Sequence, residues 1–460
     1  MDVRTRWITR DSSFYRSLVL LAIPVGLQNL LTFSVSFAGN LMLGSLGDAA
    51  LSGVFMGNQL QTLLLMVIGG IEGAMLVLSA QYWGRKDTAS IKRIVAIGLH
   101  ISLTFSVLMT ILGLLFPEQL IRIFATDSTV IAAGTEYLRV VCLSYVFVSV
   151  TLPLIAAMRS IEVARIGMLV SLVSLFVNIG LNYVLIFGKL GLPALGIRGA
   201  AIATVISRFV EMCVMIFYVA RVDNQLRFRL PEFFVSDPTL RRDLIANGLP
   251  IMGGNVVWSV NMMASSAILG RFSASVTTAV SVANTMNTLA FVTMNGMSAA
   301  VGIITGKTVG AGRTQLMREY ARTVQILFLF VGVLTGGVVF LLRYPFVSLY
   351  SGISAAAAAR SIELITVLSV TMVGTCYQAA CLAGLVRAGG DVRFVFKNDT
   401  IFVFLVVLPS ALLAVYLGAP AWVVWACLKS DQILKCFVAV FKINSFNWMK
   451  NLTRDIQPAG

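Results

Sequence analysis

The chain is written in long apolar runs separated by short polar breaks. No Asp, Glu, Lys or Arg occurs from Ser17 to Gly47, Leu244 to Gly270, Phe272 to Gly306, or Thr400 to Leu428. A helix needs about 20 apolar residues to cross the hydrocarbon of a bilayer, so several of these runs hold one crossing or two. Barrel strands are shorter and alternate in polarity, which favours helices. Counting runs between breaks predicts twelve helices, near 17–43, 51–80, 94–116, 137–158, 166–187, 199–219, 244–269, 275–305, 323–342, 364–386, 400–417 and 420–440. The expected fold class is an all-α membrane protein.

Composition agrees: 58% of the 460 residues are hydrophobic and 12% are charged, whereas a soluble domain carries about 25% charged residues. The net charge of +15 raises the question of nucleic acid. The basic residues, however, sit in short segments between the runs, such as "GRKDTASIKR" and "GKTVGAGRTQLMREYAR". No basic patch interleaved with aromatics is present, so no nucleic-acid partner is expected. With the N-terminus placed inside, alternate connections hold 25 Lys and Arg on that side against 7 on the other. That asymmetry predicts a multi-pass protein of the cell membrane with both termini cytoplasmic and the lipid bilayer as its surround. The six cysteines lie in or beside apolar runs without metal-ligand spacing and read as small core residues. The first run is too long for a signal-peptide core, so no cleavage is expected.

The two halves of the chain repeat. At one register of 226 residues, Pro24 meets Pro250, Asn29 meets Asn255, Gly44 meets Gly270, Asn58 meets Asn284, Thr62 meets Thr288 and Gly84 meets Gly310. "MRSIEVAR" at Met158 then matches "VRAGGDVR" at Val386. Each half holds an even number of spans, so the repeats share one orientation and are related by an axis along the membrane normal. The expectation is two six-helix lobes with pseudo-twofold symmetry. The boundaries read as a cytoplasmic tail 1–16, an N-lobe 17–220, an inter-lobe linker 221–243, a C-lobe 244–440 and a cytoplasmic tail 441–460. A monomer is expected. The nearest P-loop-like string, "GIITGK", lacks the required glycine spacing, so transport without ATP hydrolysis is favoured and no enzyme is expected.

Several strings then resemble one family. "LGSLGDAALSGV" after the first span, "LNYVLIFGKLGLPALGIRGAAIAT" from Leu181, "TGKTVGAGR" after helix eight and "LVRAGGDVRF" after helix ten are similar to motifs of multidrug and toxic compound extrusion (MATE) transporters. The resemblance covers roughly residues 17 to 448. It implies twelve helices in two bundles and export of organic cations or amphipathic toxic compounds. It also implies antiport with H+ or Na+ by alternating access, with no cofactor beyond that ion. The chain departs from the family at the places of its usual acids, which here hold Gly39, Trp258 and Cys376. The polar pair of the fifth span is Asn178 and Asn182.

Few ionisable groups lie inside the runs. Glu72, in "VIGGIEGAMLVL", is about 20 Å from the Arg85 end of its helix at 1.5 Å per residue. A carboxylate at such depth is costly unless it is paired, hydrated or protonated, so Glu72 is the leading candidate for the coupling ion. The alternative is a structural acid bonded to neighbouring helices. Asn178 and Asn182 share one helix face and offer carbonyl oxygens to a cation, or bond across helices as membrane asparagines commonly do. Asn29, Asn255, Trp258, Met262 and Met286 are candidates for a substrate cavity, because soft Met and aromatic faces suit varied apolar cargo. Lipid-facing or core packing is the plainer role for the same residues. Arg208 with Glu211, and Asp431 with Lys435, are spaced to neutralise each other on one helix face. His100 reads as a packed group. A lipid-linked sugar flippase or an uncoupled transporter on the same scaffold are the alternative functions.

Overall fold

The computed structural model describes residues 7–235, 237–350 and 352–454, so residues 1–6 and 455–460 of the expected tails lie outside the described residues. All regular structure among the described residues is helical. The first half contains α1 (Ser12–Gly44), α2 (Asp48–Gly84), α3 (Thr88–Leu115), the short α4 (Pro117–Arg122), α5 (Ser128–Val141), α6 (Ser144–Ser160), α7 (Arg165–Phe187), α8 (Gly196–Phe217) and the short α9 (Leu230–Phe233). The second half contains α10 (Pro238–Leu269), α11 (Ala274–Gly310), α12 (Thr314–Ser348), α13 (Ala355–Gln378), α14 (Val392–Ile401), α15 (Leu408–Tyr416), α16 (Ala421–Leu428) and α17 (Asp431–Asn444).

Each of the twelve expected spans falls on helix. Among the described residues, nine helices are long and apolar enough to cross a bilayer alone, and α5 with α6 makes a tenth as a pair bent by 55°. The remaining two are α10, diluted by Asn247, Asn255 and Asn261, and a column broken at Lys429–Ser430 into α16 and α17. Local chemistry sets the ends. Asp87 caps α3 by accepting from the Ser90 amide, and Asp127 caps α5 by accepting from the Thr129 amide at 2.7 Å. Gly188 closes α7 with φ of 67°, which only glycine adopts without cost. Pro24 and Pro250 lie inside α1 and α10 rather than at their starts. The six cysteines are all free.

The chain divides into two compact units. Among the described residues, one holds 7–26 and 253–454, and the other holds Leu27–Met252. Gly26 and Met252 are repeat mates, so the division falls at the same point of α1 and of α10. Two glycines explain it. In the first unit, a Cβ on Gly296 of α11 would lie 2.6 Å from the Gly26 nitrogen and 2.7 Å from the Ala22 carbonyl oxygen. In the second unit, a Cβ on its mate Gly70 would lie 2.8 Å from the Met252 Cβ. Each glycine lets a helix start from the opposite repeat press directly on its backbone.

In the second unit, the inter-lobe connection is ordered against α3. Lys92 pairs with Glu232 at 2.5 Å, Arg93 pairs with Asp237 at 3.3 Å, and the His100 ring lies 4.4 Å from that of Phe233. In the first unit, the turn after helix ten is strapped by the residues that follow α17. The Lys450 amide donates to the Gly389 carbonyl at 2.7 Å, and Trp448 is fully buried against Gly389. Asp391 accepts from Lys442 at 2.7 Å and from Lys450 at 2.8 Å. Burial pushes the Asp391 carboxyl up, but the hydrogen bonds from Lys442 and Lys450 outweigh that and hold it below its ordinary value of 3.8. A carboxyl with a depressed folded value stabilises above its unfolded value and loses that contribution as pH falls through the folded one. The strap is therefore expected to loosen below about pH 4. Exchange of the Lys450 amide, corrected for its intrinsic rate, should rise there in the wild type. In Asp391→Asn it should already be fast at neutral pH.

Candidate functional site

In the second unit, Glu72 lies on α2, partly buried, with Arg159 of α6 as its electrostatic partner. The two make no ion pair within 4 Å. Arg159 instead donates to the Gln28 side-chain oxygen of α1 at 2.6 Å, and its Nε is buried with no partner. Glu72 therefore has a basic neighbour, as a structural acid requires, but is not locked to it. Asn178 and Asn182 are buried on α7 and bond to each other, the Asn182 amide donating to Asn178 Oδ1 at 2.8 Å. Asn182 Oδ1 is buried without a donor. Arg208 and Glu211 pair at 2.8 Å, as their spacing predicts. Asn29 is partly buried on α1.

The first unit encloses a cavity of about 370 Å³. Trp258 and Met262 of α10 with Phe291 and Met294 of α11 give it an apolar wall, which Asn261 of α10 interrupts. Asn255 is partly buried on α10 and is not one of the lining residues. Met286 does not reach the cavity either. It is 5% exposed in an apolar core with Leu269, Leu368 and Trp425; α11 spreads Ser, Thr and Asn over every face, so its sequence does not say which side turns inward.

The opposite wall is charged, and irregular helix geometry puts it there. Helix ten ends in a π-helical segment, Ala379–Arg387, helix eleven contains another, Phe402–Val407, and helix twelve is broken at Lys429–Ser430. π-helical turns recur at functional sites, and broken spans line binding sites in other transporters. Here Arg387, Asp399, Lys429, Asp431 and Lys435 all reach the cavity. Lys435 bonds Asp399 at 2.9 Å and Asp431 at 3.0 Å. Gln432 donates to both oxygens of Asp431 at 3.0 Å and accepts a short hydrogen bond from Gln378. The Asp431–Lys435 pair was legible from spacing. Asp399 was not, because it sits at the rim of an apolar run, nor were Arg387 and Lys429. Among the described residues, no three His, Cys, Asp or Glu converge as a metal site.

Repeated apolar helices with irregular segments at a cavity are features that secondary transporters share. The profile of the MatE family matches residues 24–184 and 250–417, two segments that begin at the repeat mates Pro24 and Pro250. The chain belongs to the MatE family of transporters and is a multi-pass membrane protein. It is similar to a probable multidrug resistance protein NorM of Halalkalibacterium halodurans, 26% identical over 86% of each chain. It is also similar to a probable multidrug resistance protein NorM of Thermotoga maritima, 27% identical over 73% of this chain and 72% of that one. Its fold matches a MATE crystal structure in a bent conformation at a TM-score of 0.85 and 18% identity, covering 95% of this chain and 98% of the other.

Proposed function

We propose that the protein exports amphipathic small molecules, organic cations among them, as a secondary transporter of the cell membrane with both termini cytoplasmic. The lobes 17–220 and 244–440, joined by 221–243, act as the moving bodies of alternating access, and the protein works as a monomer. The observation that carries this reading is the cavity with one apolar wall, Trp258 and Met262, and one charged wall, which suits amphipathic cargo. The names of the NorM relatives support export of drugs. Dye movement into everted vesicles, measured under separate proton and sodium gradients, tests it. Failure of either gradient to drive any dye of a cationic and amphipathic panel would end the reading.

Coupling is assigned to Glu72, where an incoming H+ or Na+ competes with its field from Arg159. Glu72→Gln is expected to slow gradient-driven export by about tenfold or more while leaving the fold intact, since an amide neither ionises nor takes up a proton. Coupled transport at the wild-type rate in that variant would remove Glu72 from the mechanism. Asn178 and Asn182 are the second candidates, supported by the partnerless Asn182 Oδ1, a free carbonyl oxygen of the kind Na+ takes. Asn29 and Asn255 remain candidates for substrate contact.

A further inference from the structure

The cavity of the first unit holds three cations, Arg387, Lys429 and Lys435, against two carboxylates, Asp399 and Asp431. Lys435 engages both carboxylates. Arg387 and Lys429 form no ion pair within 4 Å and feel Asp399 and Asp431 only through space. The Arg387 Nε is buried and has no hydrogen-bond partner. Lys429 lies 5.0 Å from the centre of the Trp425 ring, a contact with an aromatic face and not with an anion. The repeat mate of Arg387 behaves differently, because Arg159 has the Gln28 oxygen at 2.6 Å. An open arginine at this position is therefore a property of this cavity and not of the repeat.

Cations set among apolar spans are costly without a counter-charge. The groups present leave one positive charge unmatched, with donors of Arg387 and Lys429 unused. A guanidinium fork and an ammonium lining one cavity suit a carboxylate, sulfonate or phosphate. We propose that this cavity binds amphiphiles with an anionic head, the head between Arg387 and Lys429 and the apolar body against Trp258, Met262, Phe291 and Met294. This names one class of cargo for the exporter and rests on that reading for its transport role. A free amphiphilic acid and an anionic lipid present the same head.

The test uses the full chain in a neutral detergent, with dansylaminoundecanoic acid, its methyl ester and the corresponding amine as probes. The acid should bind about tenfold or more tightly than the ester or the amine, the scale of charge-assisted hydrogen bonds. Arg387→Gln with Lys429→Gln should remove that preference, so that acid and ester bind alike, while Arg387→Lys should keep part of it. Lys429→Gln alone, at a helix break, guards against a folding defect, and thermal unfolding checks all variants. Equal affinity for the three heads, tighter binding of the amine, or a preference that survives the double variant overturns the proposal. Displacement of the acid by phosphatidylglycerol assigns the head to lipid, and resistance to it assigns the head to a free acid. Gradient-driven export of cationic dyes without any preference for the acid sinks this inference and spares the exporter. A preference for the acid without gradient-driven movement does the reverse.

Discussion

Lys435→Met is expected to cost about 3–5 kcal/mol of folding stability, the scale for breaking a buried ion pair from one side. Lys435 is 5% exposed and Asp431 3% exposed, and the lysine bonds Asp431 and Asp399 at once. Methionine fills nearly the same volume, so the loss is one of charge and not of packing. Two carboxylates would then face each other beside an apolar wall, with Arg387 and Lys429 too distant to replace the bond. The decisive measurement is thermal unfolding of Lys435→Met beside the triple variant that also carries Asp399→Asn and Asp431→Asn. The triple variant should recover most of the loss, because it removes the orphaned charges. A single variant as stable as the wild type would mean that water already satisfies this cluster.

Gly296→Ala should destabilise by about 1–3 kcal/mol, the usual cost of forcing a methyl into a closed contact. The new Cβ would meet the Gly26 nitrogen and the Ala22 carbonyl, both backbone. Backbone cannot swing aside as a side chain does, so α1 and α11 would have to separate. Gly70→Ala should cost about as much, since the Met252 Cβ at 2.8 Å is fixed to its backbone and the Gly248 carbonyl oxygen lies at 3.1 Å. Gly337→Ala, where nothing lies within 4 Å, is the control and should be neutral or slightly stabilising, because alanine is the better helix former. Equal unfolding temperatures for Gly296→Ala and Gly337→Ala would show that the close approach of α1 and α11 is absent.

Much of this architecture was legible because lipid permits few solutions. Runs without charge from Ser17, Leu244, Phe272 and Thr400 have to become helix when no water can satisfy their backbone, and they do. The repeat was legible because Pro, Asn and Gly align at one register where leucines alone would align by chance. Glu72 stood out as a lone acid, and Trp258 and Met262 were found where they line the cavity. What stayed hidden depends on rotation about a helix axis. Met286 and Met294 share α11, yet one packs in the core and the other lines the cavity, and a helix whose Ser, Thr and Asn are spread over every face carries no signal to separate them. Asp399 was obscured by its place at the edge of a run, and the break at Lys429–Ser430 carries neither Pro nor Gly to announce it.

The π-helical segment Ala379–Arg387 has a genetic corollary. A π turn is an α-helix with one extra residue accommodated. Deleting a single alanine there would remove that extra residue, let ordinary winding resume and turn the residues inside the segment while the helix on either side keeps its place. Leu382 and Ala383, inside the segment, would then lose the facing that makes them line the cavity. Length in this stretch should be intolerant of one-residue deletion, even though most of its side chains are plain and replaceable.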